Sequence, residues 1–333
     1  MAKNGSMNAA VLDIHGAPFR LGEVARPSAG PNEVLVRIHG SGVNPLDVKI
    51  RAGEAAHARH PLPAILGIDL AGVVEAVGPG VTAFRRGDEV YGMTGGVGGV
   101  QGSLADYSVV ETDLLAPKPS NLTMREAAAL PLVFITAWEG LVDRARLQSG
   151  QKVLIHGGAG GVGHVAIQIA SALGAEVFAT GAARSLAYIS SLGATAIDRG
   201  EVAVDDYVAQ YTCGHGFDVI YDTAGGATLD ASFSAVRRFG HVVSALGWGM
   251  HALAPLSFKL ASYSGVFTLL PLLTGEGRAH HGDILRQATR LVEAGQLSPR
   301  VDPRHFSLST LDDAYQTVAE GGLQGKAVID IVA

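Results

Sequence analysis

Lys152-Val-Leu-Ile-His156, the loop Gly157-Gly-Ala-Gly-Gly-Val-Gly163 and the apolar run Val165 to Leu173 decide the fold of this chain. The first segment has the composition of a strand, the glycines that of a tight loop, and the last that of a helix. The alternation continues through Glu176-Val-Phe-Ala-Thr180, a helix around Leu186 to Leu192, Thr195 to Asp198, a helix around Val204 to Tyr211, Phe217 to Asp222, a helix around Leu229 to Arg237, and His241 to Leu246. Repeated β-α-β order requires parallel crossovers, so an α/β architecture with a doubly wound sheet is predicted.

Upstream the texture differs. Val34 to Ile38, Asp69 to Val77, Asp88 to Tyr91 and Leu104 to Val110 are short β segments bounded by Gly, Pro, Asn or Ser, with few helical periods between them. That pattern predicts antiparallel barrel strands. Met124 to Arg146 is rich in helix formers, with Thr123 and Glu126 available as a capping box. Downstream come helices near Asp283 to Ala294 and Leu311 to Glu320, then a strand at Lys326 to Ile331, placed so late that the chain is expected to return to its first domain. Residues 1–6 carry no structural weight in this reading.

Composition narrows the classes. The chain has 333 residues, room for two domains. Its net charge is 25 − 31 = −6, which gives no electrostatic reason for a nucleic-acid partner. A hydrophobic fraction of 47% supports a large packed core. Cys213 is the single cysteine, which excludes an internal disulfide and a multi-cysteine zinc site and fits the cytoplasm. The longest apolar run, Ala127 to Trp138, is too short for a membrane span, and no secretion signal is read at the start.

Gly158, Gly160, Gly161, Val162 and Gly163 belong to a G-x-G-x-x-G pattern that follows a strand and opens a helix, the context of a dinucleotide site. Glycines let the backbone approach a pyrophosphate, and free N–H groups at a helix start face it. The bland alternative is a turn that lets a helix pack on a strand. Gly95 to Gly99 lacks a following helix and reads as a loop. Gly321 to Lys326 lacks the first glycine and the hydroxyl of a phosphate loop, which disfavours an ATPase or kinase. A carboxylate at the end of the second strand would hold the ribose of NAD, but Ala179-Thr180-Gly181-Ala182-Ala183-Arg184 has none. Arg184 suits a 2′-phosphate, so NADPH is the expected cofactor. Arg199 either adds a second positive edge or is a solvated surface residue. Asp222 to Ala224 and Leu246-Gly247 close later parallel strands, where such sheets bind ligands.

Val43-Asn-Pro-Leu-Asp-Val-Lys-Ile-Arg-Ala-Gly53, Gly67-Ile-Asp-Leu-Ala-Gly-Val-Val74, Gly87-Asp-Glu-Val-Tyr91, Leu154 to Gly163 and Gly325-Lys-Ala-Val328 occur in one order along the chain. Together they resemble the zinc-free quinone oxidoreductase branch, which includes zeta-crystallin, of the medium-chain dehydrogenase/reductases. The segment around Lys49 is also similar to plant alkenal and enone reductases. The resemblance implies a GroES-like, partly open β-barrel catalytic domain from residues 1–125 and 265–333, an inserted Rossmann cofactor domain from 126–264, an NADPH cleft between them, and a homodimer or homotetramer. Metal-dependent members carry a Cys within the segment matching Ser41 to Asp47 and Gly-His-Glu where this chain has Gly67-Ile68-Asp69. Asn44 and Ile68 cannot serve as those ligands, so no metal is expected. His57-x-x-His60 and His280-His281 read as surface pairs, and His156 and His164 as packed residues flanking the loop.

The resemblance also assigns roles. Lys49 stands where many quinone reductases have Tyr and the enone reductases have Lys, which makes it the candidate to stabilise an oxyanion during hydride addition; its alternatives are a pair with Asp47 or Asp69, or a cofactor contact. Asn44 either positions nicotinamide or substrate, or caps the Pro45 turn. Thr136 matches a family residue near the nicotinamide ribose, or bonds back within its helix. Thr180 closes the second strand, and Lys326 matches a family lysine near the cofactor, with a surface residue as its alternative. NADPH-preferring members often have Ser and Tyr at the positions of Ala182 and Arg199, so here Arg184 carries more of the cofactor argument. The expectation is an NADPH-dependent oxidoreductase acting without zinc on an enone, enal or quinone. The competing readings are a non-catalytic NADPH sensor and a zinc-type alcohol dehydrogenase.

Overall fold

The computed structural model describes residues 5–332. The chain divides into two units, the first formed by Met1–Leu132 with Leu269–Ala333 and the second by Val133–Thr268. Strands are β1 (Ser6–Leu12), β2 (Arg20–Ala25), β3 (Glu33–Gly42), β4 (Ala64–Ile65), β5 (Asp69–Val77), β6 (Glu89–Met93), β7 (Tyr107–Glu111), β8 (Leu115–Pro117), β9 (Lys152–His156), β10 (Glu176–Gly181), β11 (Thr195–Asp198), β12 (Phe217–Asp222), β13 (Val236–Ser244), β14 (Ser262–Gly265), β15 (Phe306–Ser307) and β16 (Val328–Asp330). Helices are α1 (Pro45–Ala52), α2 (Met124–Ala128), α3 (Pro131–Trp138), α4 (Gly161–Ala172), α5 (Leu186–Ser191), α6 (Val204–Thr212), α7 (Ala227–Ala235), α8 (Ala254–Lys259), α9 (Leu270–Thr274), α10 (Arg278–Glu293) and α11 (Leu311–Glu320).

In the first unit, a seven-stranded sheet runs β15-β16-β3-β5-β6-β8, with β7 also on β3, and a three-stranded sheet runs β2-β1-β4. Met7, Ala9, Val11 and Ala105 form the apolar contact behind the smaller sheet, and an Ala9–Ala105 bridge ties β1 to the segment before β7. β16 lies antiparallel on β3, so the late return of the chain to its first unit is observed. Residues 1–4, among those given no weight, lie outside the described residues, whereas Ser6 already pairs with Ala25.

The segment after β3 differs from the expectation of loops. Asn44-Pro45 opens α1, with Pro at the first helical position and Gly53 in the left-handed conformation at its end. α11 packs against it: Phe19 meets Tyr315 edge-on, and Arg51 bonds Asp312 at 2.5 Å. The helix formers of Met124 to Arg146 are used in three pieces, because Pro131 has no N–H and begins a new helix, α3, which passes into a turn of π-helix at Glu139–Arg144. The Thr123–Glu126 capping box forms. α2 rests on β3, β5 and β16, so the first unit runs on to Leu132 rather than stopping at 125.

The second unit is a six-stranded parallel sheet ordered β11-β10-β9-β12-β13-β14. From β9 the chain steps outward to β11 and then crosses to the other side of β9, so the switch point lies between β9 and β12. Leu154, Phe178, Phe217, Ile220, Phe233 and Val242 form much of the core on one face. β14 was not visible in Ser-Tyr-Ser-Gly, which lacks apolar alternation; its pairing with β13 and the Val266 N–H on Ser244 O carry this unit past residue 264 to Thr268. Among the described residues, no helix is long and apolar enough to cross a membrane.

Candidate functional site

The glycine loop leaves β9 beside the switch point of the second unit. Gly158 donates its N–H to Thr180 O at 2.9 Å, and Gly160 to Gly157 O at 2.9 Å. A Cβ on Gly163 would lie 2.1 Å from Gly157 O, and one on Gly158 would lie 2.8 Å from Ala179 Cβ, so these two buried glycines let α4 pack on the strands. Gly160 and Gly161 are exposed at the start of α4. The structure thus joins the two readings of the loop: Gly158 and Gly163 pack, while Gly160, Gly161 and Val162 present a helix N-terminus whose first N–H groups lack intrahelical acceptors. His156 Nδ1 and Thr180 Oγ1 share a hydrogen bond at 3.0 Å. Burial pushes the His156 imidazole down to about 4, against the opposing pull of Asp222, so it is neutral at pH 7. Its Nε2 is a buried polar atom with no hydrogen-bond partner among the described residues.

Arg184 and Arg199 both stand exposed beyond adjacent strands, where the Arg199 N–H bonds Gly181 O at 3.0 Å. Neither guanidinium has a hydrogen-bonded or ion-paired partner among the described residues. Asp198, the carboxylate in register with Gly181, accepts the Gly200 N–H at 2.8 Å. Asp222 is fully buried and committed to its own loop: Oδ1 accepts the N–H groups of Ala224 and Gly225, and Oδ2 accepts the Ser244 hydroxyl at 2.7 Å. Ser244 also accepts the Leu246 N–H, which sets the path of exposed Leu246 and Gly247. Thr136 lies buried on α3, its hydroxyl 3.1 Å from that of Thr268 and its carbonyl accepting the Tyr221 hydroxyl at 2.6 Å.

The first unit holds a separate charged centre. Asp69, at the start of β5, is wholly buried; Oδ1 accepts the Leu132 N–H at 2.9 Å, and Oδ2 accepts Asn44 Nδ2 at 3.0 Å and lies 3.5 Å from Lys326 Nζ. Lys326 Nζ donates to Asn44 Oδ1. Asn44 is therefore engaged at both ends of its amide, and its backbone N–H goes to Asp47 Oδ2 at 2.8 Å. Burial pushes the Asp69 carboxyl up and the Lys326 ammonium down, and each opposes the other's shift by favouring its charged form. Lys49 does not join them. It is exposed on α1, and the carboxylates named in its alternative reading, Asp47 and Asp69, are engaged by Asn44 and Lys326. Asp47 and Ser244 were missed as organising residues; Asn44-x-x-Asp47 has the spacing of a capping box and was readable, whereas Ser244 has no local signature.

A zinc ion does not fit this centre. Ile68 is fully buried and has no donor atom, and the one oxygen that Asn44 offers already accepts from an ammonium. Among the described residues, no group of three or more His, Cys, Asp or Glu could hold a metal.

Two family models match the chain: an alcohol dehydrogenase GroES-like domain over residues 30–120 and a zinc-binding dehydrogenase over 192–329. It is 36% identical over 314 residues to 2-methylene-furan-3-one reductase of Solanum lycopersicum, covering 92% of this chain and 74% of that protein. To the chloroplastic NADPH-dependent alkenal/one oxidoreductase of Arabidopsis thaliana it is 34% identical, covering 91% and 73%. A crystallised alcohol dehydrogenase superfamily protein from Novosphingobium aromaticivorans superposes with a TM-score of 0.96 at 60% identity, over 98% of this chain and 100% of that one.

Asp47 gives a pH prediction. Burial pushes its carboxyl from an ordinary 3.8 up to about 7; the Asn44 N–H and the nearby Lys326 oppose the rise, and Asp69 adds to it. The folded state thus keeps a proton that the unfolded chain releases from about pH 4 upward, so this stabilisation is full below pH 4 and is lost as pH rises through about 7. The contribution of Asp47 falls between pH 5 and pH 7, so the melting temperature of Asp47→Asn rises relative to that of wild type across this range. A slope unchanged in the variant contradicts the assignment.

Proposed function

We propose a reaction from one premise: the chain belongs to the medium-chain dehydrogenase/reductase family, alongside its alkenal/enone and quinone reductases, and is an oxidoreductase. The reaction is reduction of the C=C bond of an α,β-unsaturated ketone or aldehyde, or of a quinone, with NADPH and without zinc. When bound, the reduced nicotinamide supplies the hydride. Gly160, Gly161 and Val162 hold the pyrophosphate at the start of α4, and Arg184 with Arg199 takes the 2′-phosphate. Thr136, Thr180, Asp222, Leu246 and Gly247 shape the strand ends around the nucleotide.

The observation that carries the cofactor reading is two unpartnered guanidiniums beside a strand end that lacks a carboxylate. The carbonyl oxygen of the substrate gains charge as hydride adds to the β-carbon, and the Lys49 ammonium, exposed and without a protein partner, stabilises it. Solvent supplies the proton. The A. thaliana relative carries NADPH and the alkenal/one substrate class in its name, and the reading extends both to this chain.

Self-association as a dimer or tetramer belongs to the same reading. β14 is the outer strand of its sheet, and Phe258 and Leu260, just before it, are 85% and 70% exposed. Such an edge can pair with its own copy about a two-fold axis.

NADPH consumption across enones, enals, quinones and saturated aldehydes tests the reaction: turnover is expected on the first three and is unchanged by a chelator. Binding of NADPH with no turnover on any of them favours a sensor, and loss of activity on chelation restores a metal. Arg184→Ala raises KM for NADPH by about ten- to 150-fold, the worth of one charge-assisted hydrogen bond, and leaves that for NADH in place; an equal effect on both removes the basis for NADPH. Sedimentation as a 34.3 kDa monomer at micromolar concentration would argue against self-association.

A further inference from the structure

The buried centre of the first unit contains a lysine whose surroundings differ from those of a cofactor ligand. Lys326 has a side chain only 6% exposed, and its backbone is clamped on both sides: its N–H bonds Arg300 O at 2.8 Å, its carbonyl accepts the Asp302 N–H at 2.9 Å, and Ala327 O accepts the Val43 N–H at 2.9 Å. The clamp directs the ammonium inward, onto Asn44 Oδ1 and toward Asp69 Oδ2. A phosphate or ribose drawing on this ammonium would have to take it from Asn44 and Asp69.

We propose that Lys326 is a positioning residue: it keeps Asp69 ionised in a fully buried position, and Asp69 in turn fixes the Asn44 amide and the first turn of α3. The physical reason is asymmetry. A fully buried carboxylate whose counter-charge is removed is strongly destabilised, whereas removing both charges together costs little. Asp69 Oδ1 accepts the Leu132 N–H, a bond that ionisation of the carboxylate strengthens, and that N–H is one of the donors at the start of α3 that no helical carbonyl can reach. Four residues on, the same helix carries Thr136. The other carboxyl here, Asp47, is turned to the Asn44 backbone N–H, and Lys326 is the cation that answers Asp69. Lys326 thus acts through Asp69 and Asn44.

Two measurements test this, and only the second rests on the reductase reading. In the first, the wild-type protein is treated with an amine-acetylating reagent, with and without NADP⁺, and modified lysines are located by mass spectrometry. Lys49 is expected to be modified and Lys326 to be spared in both conditions. Modification of Lys326 in the cofactor-free protein overturns the proposal, whether or not NADP⁺ protects it. In the second, kcat is measured per folded molecule at saturating NADPH. Lys326→Met lowers kcat by about tenfold or more with KM for NADPH within about twofold, and Lys326→Met/Asp69→Asn recovers most of the loss because no charge is left alone. A rise in KM for NADPH with kcat intact, an unchanged kcat per folded molecule, or losses that multiply in the double variant each overturn it. Should Lys326→Met fail to fold, the double variant is compared with wild type directly, and a kcat within about tenfold is expected; a larger loss counts against the proposal. An inactive wild-type enzyme with a spared Lys326 counts against the reductase reading and leaves this one standing.

Discussion

A carboxylate cut off from water has to be answered by the protein around it, and Asp69 is answered from three distant parts of the chain. Asn44 brings the amide at the head of α1, Leu132 a backbone N–H at the head of α3, and Lys326 the counter-charge just before β16. The charge is a constraint rather than a source of stability, because a buried pair regains from Coulomb attraction about what it lost in desolvation. Its effect is on geometry. The segments that meet there are held by these bonds to one acid, and β16 just after the lysine is seated antiparallel on β3.

The second unit solves the opposite problem, since its candidate site must stay open. Apart from Asp222, whose carboxylate is consumed in shaping the loop after β12, the groups at the strand ends are neutral or face solvent. His156 is held neutral by burial, and Thr180 ties it to the strand beside the glycine loop. In the proposed cofactor site, anion affinity would come from helix geometry and from two arginines whose charge costs nothing to keep in water. One unit therefore buries an ion pair at its centre, and the other keeps Arg184 and Arg199 exposed at its strand ends.

These differences explain what could be read from the sequence. The parallel strands β9 to β12 were legible because buried strands are continuous apolar runs between glycine turns, and the loop at Gly157 to Gly163 was legible because its chemistry is local. α1 was not, since Pro45-Leu-Asp-Val-Lys-Ile-Arg alternates charge with apolar residues and follows an Asn-Pro pair that also marks turns. The break at Pro131 was hidden by helix propensity on either side. In the site, Arg184 and Arg199 stood out by sequence position, but the commitment of Asn44 to Lys326 and Asp69 had no local trace. Burial and long-range register decide it, and neither leaves a pattern in neighbouring residues.

The second unit is one uninterrupted stretch, residues 133–268, set within the first. During synthesis from the N-terminal side, every strand of the inserted sheet has been made once Gly265 emerges, whereas Asp69 has by then been waiting for nearly the whole length of translation without its cation. An intact burial of that carboxylate therefore belongs only to a polypeptide that has been read through to Lys326. The ion pair of Asp69 thus joins an early strand to the last segment of the fold, and it forms only after that segment has been made.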